Sequence, residues 1–359
     1  MFPAPTMRAI DRSAFHGGHK VTFGLRSGPM ITRAAVTGWG VCVPEARLTN
    51  ADFERLVDTS DEWIVERTGI RERRVAGEGE TTATLGIEAG AAALKQAGIT
   101  PDDVDLLVLA TTTPEQPIPQ TSAFVQEGLG LRCGAFDVSV GCAGFVYGLI
   151  TGSMFLIGGG LERVLVVGAE TLSRILDYTD RQTCVLFGDA AGAVVLSAAR
   201  GQDPPGLLAW DLGCDGSATD LIQMRGGGSR LPTSAATVAA GEHCVRMDGA
   251  EVFRRAVRSA VASASATLER AGVGPEQVDL FVPHQANVRI IAAAAQRLGL
   301  GPERVAVNVD RYGNTSAASV PLALAEAAEA GRLKEGDLVL LTAIGAGMAW
   351  ASALLRWGE

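Results

Sequence analysis

A chain of 359 residues is long enough for two domains or one large duplicated unit. With 47% hydrophobic and only 5% aromatic residues, its core is built from Ala, Val, Leu and Ile, and a net charge of −9 argues against general nucleic-acid binding. The six cysteines are scattered without a CxxC pair, and none of the four histidines sits beside a second ligand, so neither a disulfide framework nor a metal site is expected.

Residues 1–29 carry Arg8, Arg12, Lys20 and Arg26 against Asp11 and have no apolar core of a secretory signal. They are expected to form a flexible N-terminal extension. From residue 30 onward, helix and strand patterns alternate. An Ala-rich amphipathic helix ends at Gly98, a proline follows, and a short apolar run at 106–110 reads as a buried strand. A glycine-interrupted apolar stretch at 140–161 reads as a core helix rather than a membrane span. The protein is therefore expected to be cytoplasmic and free of the membrane.

The second half repeats the first. Ala93-Leu-Lys-Gln-Ala-Gly-Ile-Thr-Pro-Asp-Asp-Val-Asp-Leu-Leu-Val108 returns as Thr267-Leu-Glu-Arg-Ala-Gly-Val-Gly-Pro-Glu-Gln-Val-Asp-Leu-Phe-Val282, and the run from Arg163 returns at Asp337 with the same spacing. Two halves, 30–203 and 204–359, should share one α/β fold, with two packed and largely parallel sheets and helices between and outside them. The Gly-Gln-Asp-Pro-Pro segment at 201–205 marks the expected boundary.

The repeat also relates three chemistry-bearing residues. Cys142 follows a strand-like run ending at Val140, and Asn314 follows a run over 305–309 at nearly the repeat spacing. His284 comes directly off the repeated strand, at the carboxyl edge where α/β sites form. A thiol at a helix N-terminus is expected to have a lowered pKa. A Cys–His–Asn set suits a cysteine protease, with His as base. It also suits an acyl-thioester enzyme in which His and Asn donate hydrogen bonds to a second carbonyl. The glycine-rich turn Gly345-Ala-Gly347, able to offer a backbone N–H to a thioester oxygen, favours the second.

From residue 31 to 359 the chain resembles the β-ketoacyl-acyl-carrier-protein synthase III family of the thiolase superfamily. The resemblance rests on Thr59-Ser-Asp-Glu-Trp-Ile-Val-Glu-Arg-Thr-Gly-Ile-Arg-Glu-Arg73, the Cys142 segment, Phe187-Gly-Asp-Ala-Ala-Gly192, Val282-Pro-His-Gln-Ala-Asn287 and Tyr312-Gly-Asn-Thr-Ser-Ala-Ala-Ser-Val-Pro321. It implies a thiolase-like duplicated α/β fold of two packed mixed sheets in five α-β-α-β-α layers. It further implies an acyltransferase of fatty-acid synthesis that condenses an acyl-coenzyme A with malonyl-acyl carrier protein, works as a homodimer and holds no cofactor. Cys142 falls on the nucleophile, and His284 and Asn314 on the decarboxylation pair. Trp63, Arg67 and Arg181 match contacts to the adenine nucleotide, and Asn287, Gly345, Gly347 and Ile118 other substrate positions. Gln285 to Arg289, extended by Arg254, match the carrier-protein docking stretch. Gly141 is smaller than the residue expected before the cysteine, and Ala346 replaces a glycine.

Competing readings are weaker. A thiolase needs a second cysteine in the last turn, and none follows Cys244. A hydroxymethylglutaryl-coenzyme A synthase needs a glutamate base, for which Glu115 is the candidate. No GxGxxG opens a helix, which disfavours a nicotinamide dehydrogenase. A sibling condensing enzyme of specialised metabolism shares the Cys–His–Asn set.

Overall fold

The computed structural model describes residues 33–358; the 1–29 extension lies outside them. Two mixed sheets form the centre. The first has strand order Arg33–Cys42, Ala190–Ala199, Arg163–Glu170, Leu106–Ala110, Gly134–Val138. The second runs Gly206–Ala218, Gly347–Arg356, Leu338–Gly345, Leu280–Pro283, and a single bridge from Phe281 to Val305 stands where a fifth strand would lie. Read in this direction the two sheets have the same order, so the repeat seen in the residues is a repeat in space. Residues 200–205 connect the last strand of the first sheet to the first strand of the second.

Local chemistry fixes the corresponding ends. The helix Thr82–Gln96 begins at a Thr81 capping box, and the helix Gly249–Ala271 at the Asp248 cap. The chain leaves both helices through a left-handed glycine, Gly98 or Gly272. A proline then opens a short 3₁₀ turn, Pro101–Asp103 or Pro275–Gln277, before each buried strand.

The helices Gly144–Ile157 and Ser319–Glu329 pack against strands of both sheets and form the middle layer. Thr82–Gln96 and Thr121–Leu129 cover the outer face of the first sheet, and Gly249–Ala271 with Val288–Leu298 the outer face of the second, completing five layers. The inner core joins Val108, Phe145, Leu149 and Val166 to Val282, Leu324, Leu341 and Ala353. The middle helix admits this packing because Gly148 and Gly152 bring its backbone close to the Val166 and Val164 side chains.

Two expectations are corrected. The sheets are not largely parallel: Arg163–Glu170 and Leu338–Gly345 each pair antiparallel with the strand that follows them. Only Ala346 joins Leu338–Gly345 to Gly347–Arg356, which leaves no room for the helical crossover a parallel pair requires. The run 305–309 is not a strand either. Asn308 N–H donates to Gln285 Oε1, and Val309–Tyr312 closes into a short helix.

Candidate active site

The turn Gly141–Ala143, carrying Cys142, meets both the strand Leu338–Gly345 and the turn Ser316–Ala318. His284 extends directly from the strand Leu280–Pro283, held by its N–H to Thr342 O at 2.7 Å. Asn314 is locked by its own N–H to Leu186 O at 2.8 Å. Cys142, His284 and Asn314 all line one cavity of about 840 Å³. His284 is 7% and Asn314 8% exposed, so the two polar groups stand at its buried end. At the other end stand the exposed side chains of Arg67, Arg181, Arg254 and Arg289.

Backbone proximity explains the two glycines flanking this site. Gly141 has φ +53°, and a Cβ there would sit 2.7 Å from Ala346 N. A Cβ on Gly345 would sit 2.6 Å from Cys142 N. The small residue before the cysteine is therefore required by the close approach of the final turn. Ala346 is accommodated, because among the described residues Ser316 alone has positive φ without being glycine.

The hydrogen-bond network sets which ends of the side chains face the cavity. Gln285 N–H donates to Ser319 Oγ at 3.4 Å, and the same Oγ lies 2.6 Å from His284 Nδ1. With the Ser319 hydroxyl as donor to Nδ1, the imidazole proton sits on Nε2, which is then a donor into the cavity. Burial pushes His284 down to about 3, so the ring is neutral. Asn314 Oδ1 accepts from Ser316 N–H at 2.9 Å, which leaves its amide NH₂ as the second donor.

The thiol departs from expectation. Burial pushes Cys142 up to about 12, with the charge of Glu170 adding to the rise and a hydrogen bond to Ser316 opposing it. Desolvation outweighs the helix end, and the resting form is the thiol beside a neutral imidazole. Both shifts run against a Cys–His ion pair of the protease kind.

Two descriptions of known families match the chain: 3-oxoacyl-[acyl-carrier-protein (ACP)] synthase III over residues 136–216, and its C-terminal part over residues 268–357. The β-ketoacyl-[acyl-carrier-protein] synthase III of Roseiflexus sp. (strain RS-1) is 52% identical over 329 residues, 91% of this chain and 99% of that protein. The chain belongs to the synthase III family. The synthase III structure from Thermus thermophilus is 48% identical with a TM-score of 0.84, covering 90% of this chain and 99% of its own. The priming β-ketosynthase of the R1128 polyketide pathway is 35% identical with a TM-score of 0.85, covering 94% of this chain and 99% of its own.

Against the expectations for a synthase III, most residues fall on the cavity: Cys142, His284, Asn314, Trp63, Arg67, Arg181, Asn287, Gly345, Arg254 and Arg289 all line it. Asn287 also caps the helix Val288–Leu298, accepting from Ile290 N–H at 2.9 Å. The guanidinium carbons of Arg67 and Arg181 lie 4.6 and 5.2 Å from the Trp63 ring centre, so both arginines rest on the indole.

Three residues are placed elsewhere. Gly347 begins the outgoing strand beside Cys214, and Ala346 takes its place on the cavity wall. Ile118 is 84% exposed and outside the cavity of its own chain. Gln285 is 1% exposed, its amide spent on Pro283 O, Ala306 O and Asn308 N–H, so it has no face for a docking partner. Glu115 accepts from Ala83 N–H at the start of the helix Thr82–Gln96 and is absent from the cavity wall. Sequence reasoning missed Ser316, Ser319 and Glu170. Glu170 ends an apolar strand, and an acid there signals a buried partner set: Thr111, Thr112, Thr113 and Ser316 all donate to it.

Proposed function

We infer that this acyltransferase carries out a decarboxylative Claisen condensation, joining an acyl-coenzyme A starter to malonyl-acyl carrier protein and releasing coenzyme A, CO₂ and the 3-oxoacyl-acyl carrier protein that begins fatty-acid synthesis. The observation that carries this reading is a half-buried thiol and two neutral hydrogen-bond donors at one end of a cavity whose other end bears four exposed arginines. In the first step Cys142 attacks the starter thioester, forming an acyl-enzyme as coenzyme A leaves. In the second, His284 Nε2–H and the Asn314 amide hold the malonyl thioester oxygen, which becomes an enolate as CO₂ departs. Neutral donors suit this step, because they stabilise negative charge that develops only during the reaction. The enolate carbon then attacks the acyl-enzyme, and in this reading the backbone N–H groups of Cys142 and Ala346, brought close by Gly141 and Gly345, meet the thioester oxygen.

In this reading Arg67 and Arg181 bind the phosphates and purine of coenzyme A and Arg254 and Arg289 an acidic carrier protein, which their exposed places on the cavity rim support. The chemistry needs no resident metal or cofactor. No helix among the described residues is long and apolar enough to cross a membrane, and a cytoplasmic location is part of this reading. So is a homodimer: the edge strand Gly134–Val138 is partly exposed beside the exposed Met154 and Phe155, which suits pairing with a second copy. The 52% identity to a β-ketoacyl-[acyl-carrier-protein] synthase III, against 35% to the polyketide priming enzyme, supports primary metabolism in this reading.

The test is a panel of acyl-coenzyme A starters with malonyl-acyl carrier protein, read by mass spectrometry of the carrier. A 3-oxoacyl-carrier product is expected, and His284→Ala and Asn314→Ala should acylate yet fail to decarboxylate. Loss of acylation in both would overturn the division of labour.

A further inference from the structure

The condensation needs a place for the thiol proton of Cys142, and neither member of the decarboxylation pair offers one. In the tautomer that makes His284 Nε2 the donor to the enolate oxygen, Nδ1 accepts from Ser319 and the imidazole has no lone pair facing the thiol. Asn314 offers the cavity an amide donor. The group that links the thiol to a buried carboxylate is Ser316: it lines the cavity with Cys142, its turn packs against the turn that carries Cys142, and its Oγ donates to Glu170 Oε1 at 2.9 Å.

Glu170 is fully buried at the end of the strand Arg163–Glu170. Its carboxylate accepts from Thr113 Oγ1 at 2.6 Å, Thr112 Oγ1 at 2.9 Å, Thr111 Oγ1 at 3.2 Å, and the N–H groups of Thr112 and Thr113 at 3.1 Å. The ionisable group across Ser316 is Cys142, and His284 lies on the same cavity wall; threonines and Ser316 make up the rest of the shell. Ser316 holds φ +48°, the one non-glycine residue at positive φ among the described residues, and Asn314 Oδ1 pins its N–H. A strained backbone held this way at a reactive centre points to a positioned hydroxyl.

We propose that Glu170, acting through the Ser316 hydroxyl, takes the Cys142 proton during acylation and returns it after condensation. As Cys142 Sγ bonds to the starter carbonyl, its proton passes to Ser316 Oγ while the Ser316 proton passes to Glu170. The carbon–sulfur bond to coenzyme A breaks, and coenzyme A leaves as a thiolate that takes a proton from water. Glu170 stays protonated through the acyl-enzyme. When the enolate expels Cys142 as a thiolate, the same two hops restore thiol and carboxylate. Each turnover thus consumes one solvent proton, matching the loss of one carboxylate as CO₂. Burial raises the Glu170 pKa while its donors oppose that rise, which suits a group that must hold either form.

This relay rests on Cys142 being the acylated residue, and the experiment separates the two claims. Infrared difference spectra of the wild-type protein before and after acyl-coenzyme A should show a new protonated-carboxyl band that Glu170→Gln lacks. In stopped-flow acylation at pH 7, Glu170→Gln should be slower by about 10²–10⁴-fold, the span of general acid–base contributions. The deficit should shrink as pH rises towards the thiol pKa, where hydroxide replaces the carboxylate. Ser316→Ala should give the same profile, and Glu170→Asp should recover part of the rate at neutral pH. Wild-type protein that acylates without the new band overturns the relay and leaves the condensation standing, as does a Glu170→Gln deficit that is absent or equal at every pH. Wild-type protein that forms no acyl adduct overturns both.

Discussion

The neutral state of His284 has a measurable cost in acid. Free histidine titrates near 6.5, and in the fold burial pushes His284 down to about 3. Between these values the unfolded chain binds a proton that the folded chain does not, so stability falls as pH drops below 6.5 and levels off near pH 3. At pH 5 the linkage for this one group is about 2 kcal/mol, against a few tenths at pH 7. Glu170 and Asp189, whose pKa values burial raises, act in the opposite direction, gaining stability as pH falls. They are common to wild type and His284→Gln, so they cancel in the comparison. Urea unfolding followed by circular dichroism at pH 7, 6 and 5 should show wild type losing about 2 kcal/mol more than His284→Gln over that range. Parallel pH profiles would refute a buried neutral imidazole and, with it, the donor role assigned to Nε2.

Other outcomes follow from the same geometry. Gly141→Ala places a side chain at φ +53° against Ala346 N, and the left-handed strain alone costs about 1–2 kcal/mol; thermal melting should fall and acylation slow together. His284→Ala or Asn314→Ala removes one donor to the enolate oxygen and should lower malonyl decarboxylation by about 10²–10³-fold, read as CO₂ release. Arg67→Ala and Arg181→Ala should raise KM for acyl-coenzyme A with little change in kcat, and the wild-type KM should rise with salt while theirs rises less.

The fold was legible because the repeat is carried by residues with strong local meaning. Glycines that end helices, prolines that open the next turn and all-apolar strand runs recur at one spacing, and the strands Leu106–Ala110 and Leu280–Pro283 fall where they were expected. Strand direction was not legible, because it depends on whether a connection crosses the sheet. The lone residue Ala346 turns one strand back on its neighbour, and no periodicity reports that. Cys142, His284 and Asn314 stood out by type and placement. Ser316, Ser319 and Glu170 did not, because a serine or a lone acid is recognised only through its partners, and those partners lie 35 to 146 residues away along the chain. The thiol pKa was misjudged for a related reason: helix position is readable from local sequence, whereas the burial that overrides it comes from both sheets.

The central claim is that Cys142 receives the starter acyl group. Mixing the protein with acetyl-coenzyme A or longer acyl-coenzyme A substrates, then digesting and sequencing by mass spectrometry, reads this directly. The account predicts an acyl thioester on the Cys142 peptide, labile to hydroxylamine and missing as a thioester from Cys142→Ser. An adduct on another residue, or none with any starter, would contradict it.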